Sequence, residues 1–183
     1  MKRLFLISIF LGVQVLSFAQ YNHTQLYANG NIVEQGQYNA DPGITSTDSK
    51  ETIAKKMAVV HKIGTWKYQY ENGSLVAEEY YSNAGISIGV WKNWHVNGKL
   101  SSEINRTTGM ATYYHQNGSK AEEGIINAAG QHTGNWKGWH ENGKVNYVGT
   151  WTSTGLKTGT WKYNDTNEQL FGTEIWNNGV LVH

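Results

Sequence analysis

The sequence predicts an all-β fold: an elongated antiparallel meander of repeated β-hairpins, with one short helix near 49–60. Three observations predict it. A phrase beginning Gly-x-Trp-Lys and closing on Asn-Gly, its second glycine nine residues after its first, runs from Gly64, Gly89, Gly109, Gly134 and Gly159, at spacings of 25, 20, 25 and 25 residues. A fixed period in this range marks a repeat architecture in which each copy is one supersecondary unit. The closing glycines are Gly73, Gly98, Gly118 and Gly143, while the fifth copy reads Asn167-Glu168. Asn-Gly between alternating apolar residues is the strongest short-range hairpin signal, because both residues accept the positive φ of a type I′ turn. Finally, 21 Gly against 1 Pro suits β-turns rather than a Pro-rich linker.

The first residues, 1–19, read as a secretory signal peptide. Lys2-Arg3 is the basic start, Leu4 to Leu16 the apolar run, and Ser17-Phe18-Ala19 the small-x-small cleavage site. The apolar run is short for a membrane span of about 20 residues. The mature chain is therefore expected to be exported to the periplasm, cell envelope or exterior, with no transmembrane segment. Residues 20–63 form a degenerate first hairpin, turning at Asn29-Gly30 without a Trp, followed by an insert. Within the insert, Asp48-Ser49-Lys50-Glu51 resembles a helix N-cap, and Ile53, Met57 and Val60 fall on one helical stripe. This helix is expected to cover the sheet where the array begins. Residues 64–183 are the array itself.

With Asn72-Gly73 at a two-residue turn, Tyr70 faces Leu75, Tyr68 faces Ala77 and Trp66 faces Glu79. On the other side of the ribbon Lys67 meets Glu78 and Gln69 meets Val76. The second copy places Trp91, His95, Leu100 and Ile104 on the first face and repeats the charge pair as Lys92 and Glu103. Such a cross-strand pair contributes roughly 0.2–1 kcal/mol. A Trp burying about 150–250 Å², at about 25 cal/mol per Å², contributes roughly 4–6 kcal/mol as an upper bound. Trp66, Trp91, Trp136 and Trp161 recur at one position, with Ala111 in the third copy, so this aromatic row is read as the core. Gly85–Gly89, Gly130–Gly134 and Gly155–Gly159 read as linkers between copies; the third copy lacks one. A last Asn-Gly, Asn178-Gly179, closes the sheet.

The phrase Gly-x-Trp-Lys-x-(Tyr/Trp)-x-x-Asn-Gly-x-Leu, with its Gly linker, resembles the MORN-repeat variant of bacterial envelope and secreted proteins. The match runs from Gly64 to Val182 and more weakly from Tyr27 to Tyr38. The resemblance implies a hairpin array serving as an interaction module. The wider MORN group is credited with protein or phospholipid binding, and some bacterial members carry an antitoxin label. The chain departs from the eukaryotic Tyr-x-Gly-x-Trp pattern.

Composition narrows the function. The chain of 183 residues has no Cys, hence no disulfide framework and no thiolate metal site. Removing Lys2 and Arg3 from 15 basic residues leaves 13 against 14 acidic, a formal charge of about −1. That offers no concentrated basic surface for nucleic acid. His95, His115 and His140 share one position, but equivalent sites two strands apart lie about 10 Å from each other, too far to ligate one zinc ion. They are expected to pack near the turns. Glu78-Glu79 and Glu122-Glu123 are neighbours on a strand and point to opposite faces, so neither doublet offers two carboxylates to one substrate; Glu79 alone lies on the aromatic face. Ser74 and Ser119 are turn residues, and no nucleophile elbow, phosphate loop or zinc-helix motif occurs. No catalytic residue, metal or cofactor is expected. The candidate binding surface is Lys67, Lys92, Lys137 and Lys162 with Trp94 and Trp139 near them, together with Trp151 and Trp176. The expected function is non-enzymatic binding of a partner, in the first place another protein. Neutralisation of a toxin, and binding of a glycan or anionic lipid headgroup, are the alternatives.

Overall fold

The structure is a computed structural model describing residues 20–183; the signal-peptide reading of 1–19 lies outside them. Among the described residues, thirteen strands form one antiparallel sheet whose spatial order is the chain order. The degenerate hairpin is β1 (Tyr21–Leu26) and β2 (Ile32–Tyr38). After the helix α1 (Lys50–Met57) come β3 (Lys62–Gln69), β4 (Leu75–Tyr81), β5 (Ser87–Trp94) and β6 (Leu100–Asn105). The third copy is β7 (Met110–Tyr114) with β8 (Lys120–Ile126). The array ends with β9 (His132–Trp139), β10 (Val145–Trp151), β11 (Lys157–Asn164), β12 (Leu170–Asn177) and a two-residue β13 (Val180–Leu181). Consecutive hairpins with short connections make a meander.

The helix starts where its cap was expected: Ser49 Oγ accepts from Thr52 N–H at 3.2 Å, satisfying one of the unpaired donors of the first turn. It does not cover the sheet, because none of its residues is buried. Its Lys56 instead ties down its own loop, bonding Gly43 O and Asp48.

The hairpin turns differ from the expected type I′. Gly73 N–H bonds Tyr70 O at 2.8 Å, Tyr70 N–H bonds Ser74 O, and of the central residues only Gly73 takes positive φ, +83°. The loop is therefore a four-residue turn closed by a left-handed glycine, with Asn72 Oδ1 accepting from Ser74 N–H. Asn in this role caps its own turn through its side chain. The extra residue moves the pairing nearest the turn: Gln69, not Tyr70, lies opposite Leu75, while Tyr68–Ala77, Lys67–Glu78 and Trp66–Glu79 stand as expected. The I′ geometry occurs once among the described hairpins, at Asn178 (φ +47°) and Gly179 (φ +88°), where Asn177 pairs Val180 directly. In the fifth copy Glu168 holds the left-handed position at φ +65°. Its carboxylate bonds Val145 N–H at 3.2 Å, tying one hairpin to the previous one.

The core is one row of side chains along one face of the sheet. Trp66, Trp136, Trp161 and Ala111 are buried; Trp91, in the second copy, is half-buried.

Candidate binding faces

What separates the two faces is a bulge built by Gly-x-Trp. The β2–β3 ladder runs Gln35–Lys67 and then Gln37–Ile63, so Gly64, Thr65 and Trp66 stand opposite Gly36 alone. The same three-against-one step recurs between β4 and β5, β8 and β9, and β10 and β11. Gly64, Gly89, Gly134 and Gly159 take positive φ there, +64°, +67°, +65° and +68°, a conformation that costs other L-residues. Of the glycines that the sequence suggested were linkers, Gly89, Gly134 and Gly159 are thus inside strands, while Gly85, Gly130 and Gly155 sit in the turns before them. The β6–β7 ladder has no such step. Loss of the bulge together with the linker explains the 20-residue spacing there.

Each bulge folds its indole back over the single opposing residue. The Trp66 N–H donates to Gln37 O at 3.1 Å, Trp91 to Tyr80 O, Trp136 to Ile125 O and Trp161 to Thr150 O. In every case the acceptor follows the residue lying under the ring: Gly36, Glu79, Gly124 or Gly149. At the three glycines a Cβ would fall within 2.4 Å of the indole. Glycine is therefore required by the ring, and sequence reasoning missed it. The available signal was a glycine in β2, β8 and β10, outside the repeated phrase.

A second layer lies on this aromatic face, two residues before each bulge. Lys62 Nζ sits 4.4 Å from the Trp66 ring and bonds the Tyr68 hydroxyl, with Glu79 at 3.9 Å. Lys157 repeats it, 4.4 Å from Trp161 and 4.8 Å from Trp176, bonded to the Tyr163 hydroxyl at 2.9 Å and facing Glu174 at 3.4 Å. Burial alone would lower the pKa of Lys157, but the bonds to Tyr163 and Glu174 outweigh it and raise it. Glu79, read as able to reach a ligand, accepts from Tyr68 and Tyr81. Both hydroxyls are pushed well above the ordinary tyrosine pKa, first by burial and then by that carboxylate.

His132 holds the equivalent place in the fourth copy, stacked on Trp136 at 3.6 Å and edge-on to Trp151. Burial holds its pKa below the ordinary value, although Glu122 opposes the shift. A histidine whose folded pKa is depressed keeps its stabilising effect above the unfolded value of about 6.5 and loses it as pH falls from there toward the folded value. Urea midpoints are therefore expected to drop between pH 7.5 and pH 5, and His132→Phe to flatten that slope. An unchanged slope in the variant would exclude this site as the source.

The lysine row occupies the opposite face, as expected. Lys67 reaches Glu78 at 3.5 Å and Lys92 reaches Glu103 at 3.6 Å. Lys137 lies 5.2 Å from the centre of the Trp139 ring, which Lys120 also flanks at 5.1 Å. Lys162 and Lys137 pair across the ladder with the same exposed Val148. Trp94, at the position equivalent to Trp139, is half-buried. Trp151 and Trp176 are not part of this face: Trp151 packs edge-on to Trp161, and Trp176 closes over Lys157. The eight candidate residues thus separate into six on the lysine face and two on the aromatic face.

The histidine row is neither stacked core nor an open ligand set. His95 Nε2–H donates to Tyr114 O, His115 to Trp139 O and His140 to Asn164 O, each at 2.9 Å. A carbonyl only accepts, so the proton is on Nε2. Tyr27 and Tyr70 make the same reach to Gln69 O and Trp94 O. One side chain per hairpin therefore stitches each turn to the next.

These features define a linear β-hairpin repeat protein with two chemically distinct faces. Residues 62–83 and 133–152 match the MORN repeat variant, so the chain carries repeats of that type at these two segments. No curated protein matches it in sequence. The matched segments are the β3–β4 and β9–β10 hairpins, each carrying a full bulge. Repeats of this family are non-catalytic binding and interaction modules.

Proposed function

We propose that the chain is an exported, non-enzymatic binding module that docks an anionic protein partner on its lysine face, around β9 to β11. The observation that carries this reading is an asymmetry within the row. Lys67 and Lys92 are held by carboxylates, whereas Lys137 and Lys162 make no ion pair among the described residues and flank the exposed Val148, with Trp139 adjoining. A shallow concavity of about 470 Å³ is lined there by Met110, Glu123, Ile125, Lys137, Val148 and Thr160; Glu123, opposite Lys137 across the ladder, is itself paired with Lys120 at 2.6 Å. Apolar surface rimmed by cations that make no ion pair of their own suits a partner of opposite charge, and steers its approach. Export rests on the basic start at Lys2-Arg3 and the apolar run to Leu16.

A photo-crosslinking residue at position 148, used in the native cell, tests this. Discrete adducts are expected, and Lys137→Glu with Lys162→Glu should abolish them; adducts that survive the double charge reversal would refute the docking face. A toxin encoded beside the gene and captured in the adduct would make the partner a toxin. The Lys–Trp chemistry of Trp139 also supports an anionic lipid headgroup or glycan. Quenching of Trp fluorescence by anionic, not zwitterionic, vesicles would favour that second reading.

A further inference from the structure

The array has one defect, and the defect is built like a small-molecule site. The β6–β7 connection is short: Asn105 Oδ1 takes both Thr107 N–H and Thr108 N–H, and Gly109 N–H returns to Asn105 O. The turns on either side, β4–β5 and β8–β9, keep their full length. A notch of about 360 Å³ is left between them, within the roughly 300–1,000 Å³ of small-molecule sites.

Arg106 lies in this notch. It is the only arginine among the described residues. Its guanidinium sits 4.7 Å from the Trp91 ring, the one indole of the row whose opposing residue is not glycine. No carboxylate among the described residues pairs with it, and its Nε is buried without a partner. A guanidinium stacked on an aromatic face is held rigid and keeps its donor fork available. The Nη groups make no hydrogen bond among the described residues and are not buried with the Nε, so they are the donors a ligand in the notch would meet.

The lining limits what that ligand is. Arg106 is the only basic residue of the notch, so a single negative charge is matched and a dianion is not. Ser87 and Thr107 offer hydroxyls, and Ile86, Ile104 and Ile126 offer an apolar wall. One carboxylate, several hydroxyls and one aliphatic ring face are the features of an acidic sugar. We propose that the notch binds a monosaccharide-sized hexuronate, its carboxylate on the Arg106 fork and its ring against the isoleucines. The site is separate from the lysine face and does not depend on the reading given to it.

Galacturonate titrated into the full mature chain is the test, read by Trp fluorescence and by the Arg106 Nε–H resonance. Saturable shifts are expected by about 10 mM, with galactose and inorganic phosphate at least tenfold weaker. Arg106→Gln should weaken galacturonate at least tenfold and Arg106→Lys should fall between, the fork being lost but the charge kept. Should Arg106→Gln misfold by circular dichroism, Thr107→Val serves instead: exposed and outside the core, it should weaken binding several-fold. Absence of saturation overturns the proposal. So does galactose binding as tightly as the acid, phosphate binding more tightly, or affinity undiminished in the folded variants.

Discussion

Truncating Trp136 to alanine is expected to destabilise the protein by about 3–5 kcal/mol, the range for emptying a buried aromatic site. The indole is 2% exposed and packs with Ala111 and Ile126, while Ile104, Tyr113, Tyr147 and Trp151 close around it. Its N–H donates to Ile125 O at 3.1 Å, an oxygen the Thr133 hydroxyl also reaches at 3.3 Å, so truncation also removes one of the two donors to that carbonyl at the bulge. For a chain of this size roughly 2–4 °C of melting temperature accompanies each kcal/mol, so a drop of about 6–20 °C should be read by thermal denaturation. Position in the array sharpens the expectation. Each hairpin contacts only its neighbours, and such proteins behave as sums of units and interfaces. Weakening a central unit should therefore split one transition into two. Trp91→Ala should cost less, because that indole is only half-buried. A Trp136→Ala midpoint within about 0.5 kcal/mol of the parent, the range of a surface change, would show that the aromatic row is not the core.

Much of this was legible in the residues. The recurring Gly-x-Trp-Lys gave the hairpin count, the alternation placed Trp66 and Lys67 on opposite faces, and Lys67–Glu78 and Lys92–Glu103 fixed the register away from the turns. Ser49 announced its helix. Three features were not legible, each for a physical reason. Asn-Gly serves loops of two or four residues, since a left-handed glycine ends both; whether the Asn backbone or its side chain does the turning is decided by the flanking strands. A glycine with positive φ reads the same in a connection as in a bulge, so Gly89, Gly134 and Gly159 were read as linker ends although they belong to strands. The glycines under the indoles, Gly36, Gly124 and Gly149, lie outside the repeated phrase, and only the folded-back ring shows why no larger residue stands there.

The candidate surfaces were less legible than the fold, because they depend on which charges are neutralised. Lys67 and Lys137 occupy equivalent positions, yet on the following strand one meets Glu78 and the other Val148, and the Glu123 opposite Lys137 on the preceding strand is paired with Lys120. Arg106 stands outside the repeated phrase altogether. Its signal was the broken 20-residue spacing, which marks where the periodic structure stops constraining the side chains.

Gly149→Ala is expected to destabilise by about 1–3 kcal/mol, the cost of overpacking, although an added methyl in a strand ordinarily helps. Gly149 is buried between Trp136 on one strand and Trp161 on the next. A Cβ there would lie 2.2 Å from Trp161 Cδ2 and 2.3 Å from Cε2. Those atoms belong to a ring that is itself 2% exposed and tied through its N–H to Thr150 O, so it cannot swing aside. The backbone is not the cause, since Gly149 is absent from the positive-φ positions among the described residues. Gly143 provides the contrast. It has φ +82° and open space where its Cβ would go, so Gly143→Ala should cost roughly 1–2 kcal/mol through backbone strain alone. A double-mutant cycle with Trp161→Ala separates the two mechanisms. In that background the penalty of Gly149→Ala should vanish, while that of Gly143→Ala should persist, as independent sites add. If chemical denaturation finds the two costs equally additive with Trp161→Ala, the indole does not rest on the glycine, and the bulge loses its reason for recurring opposite Gly36, Gly124 and Gly149.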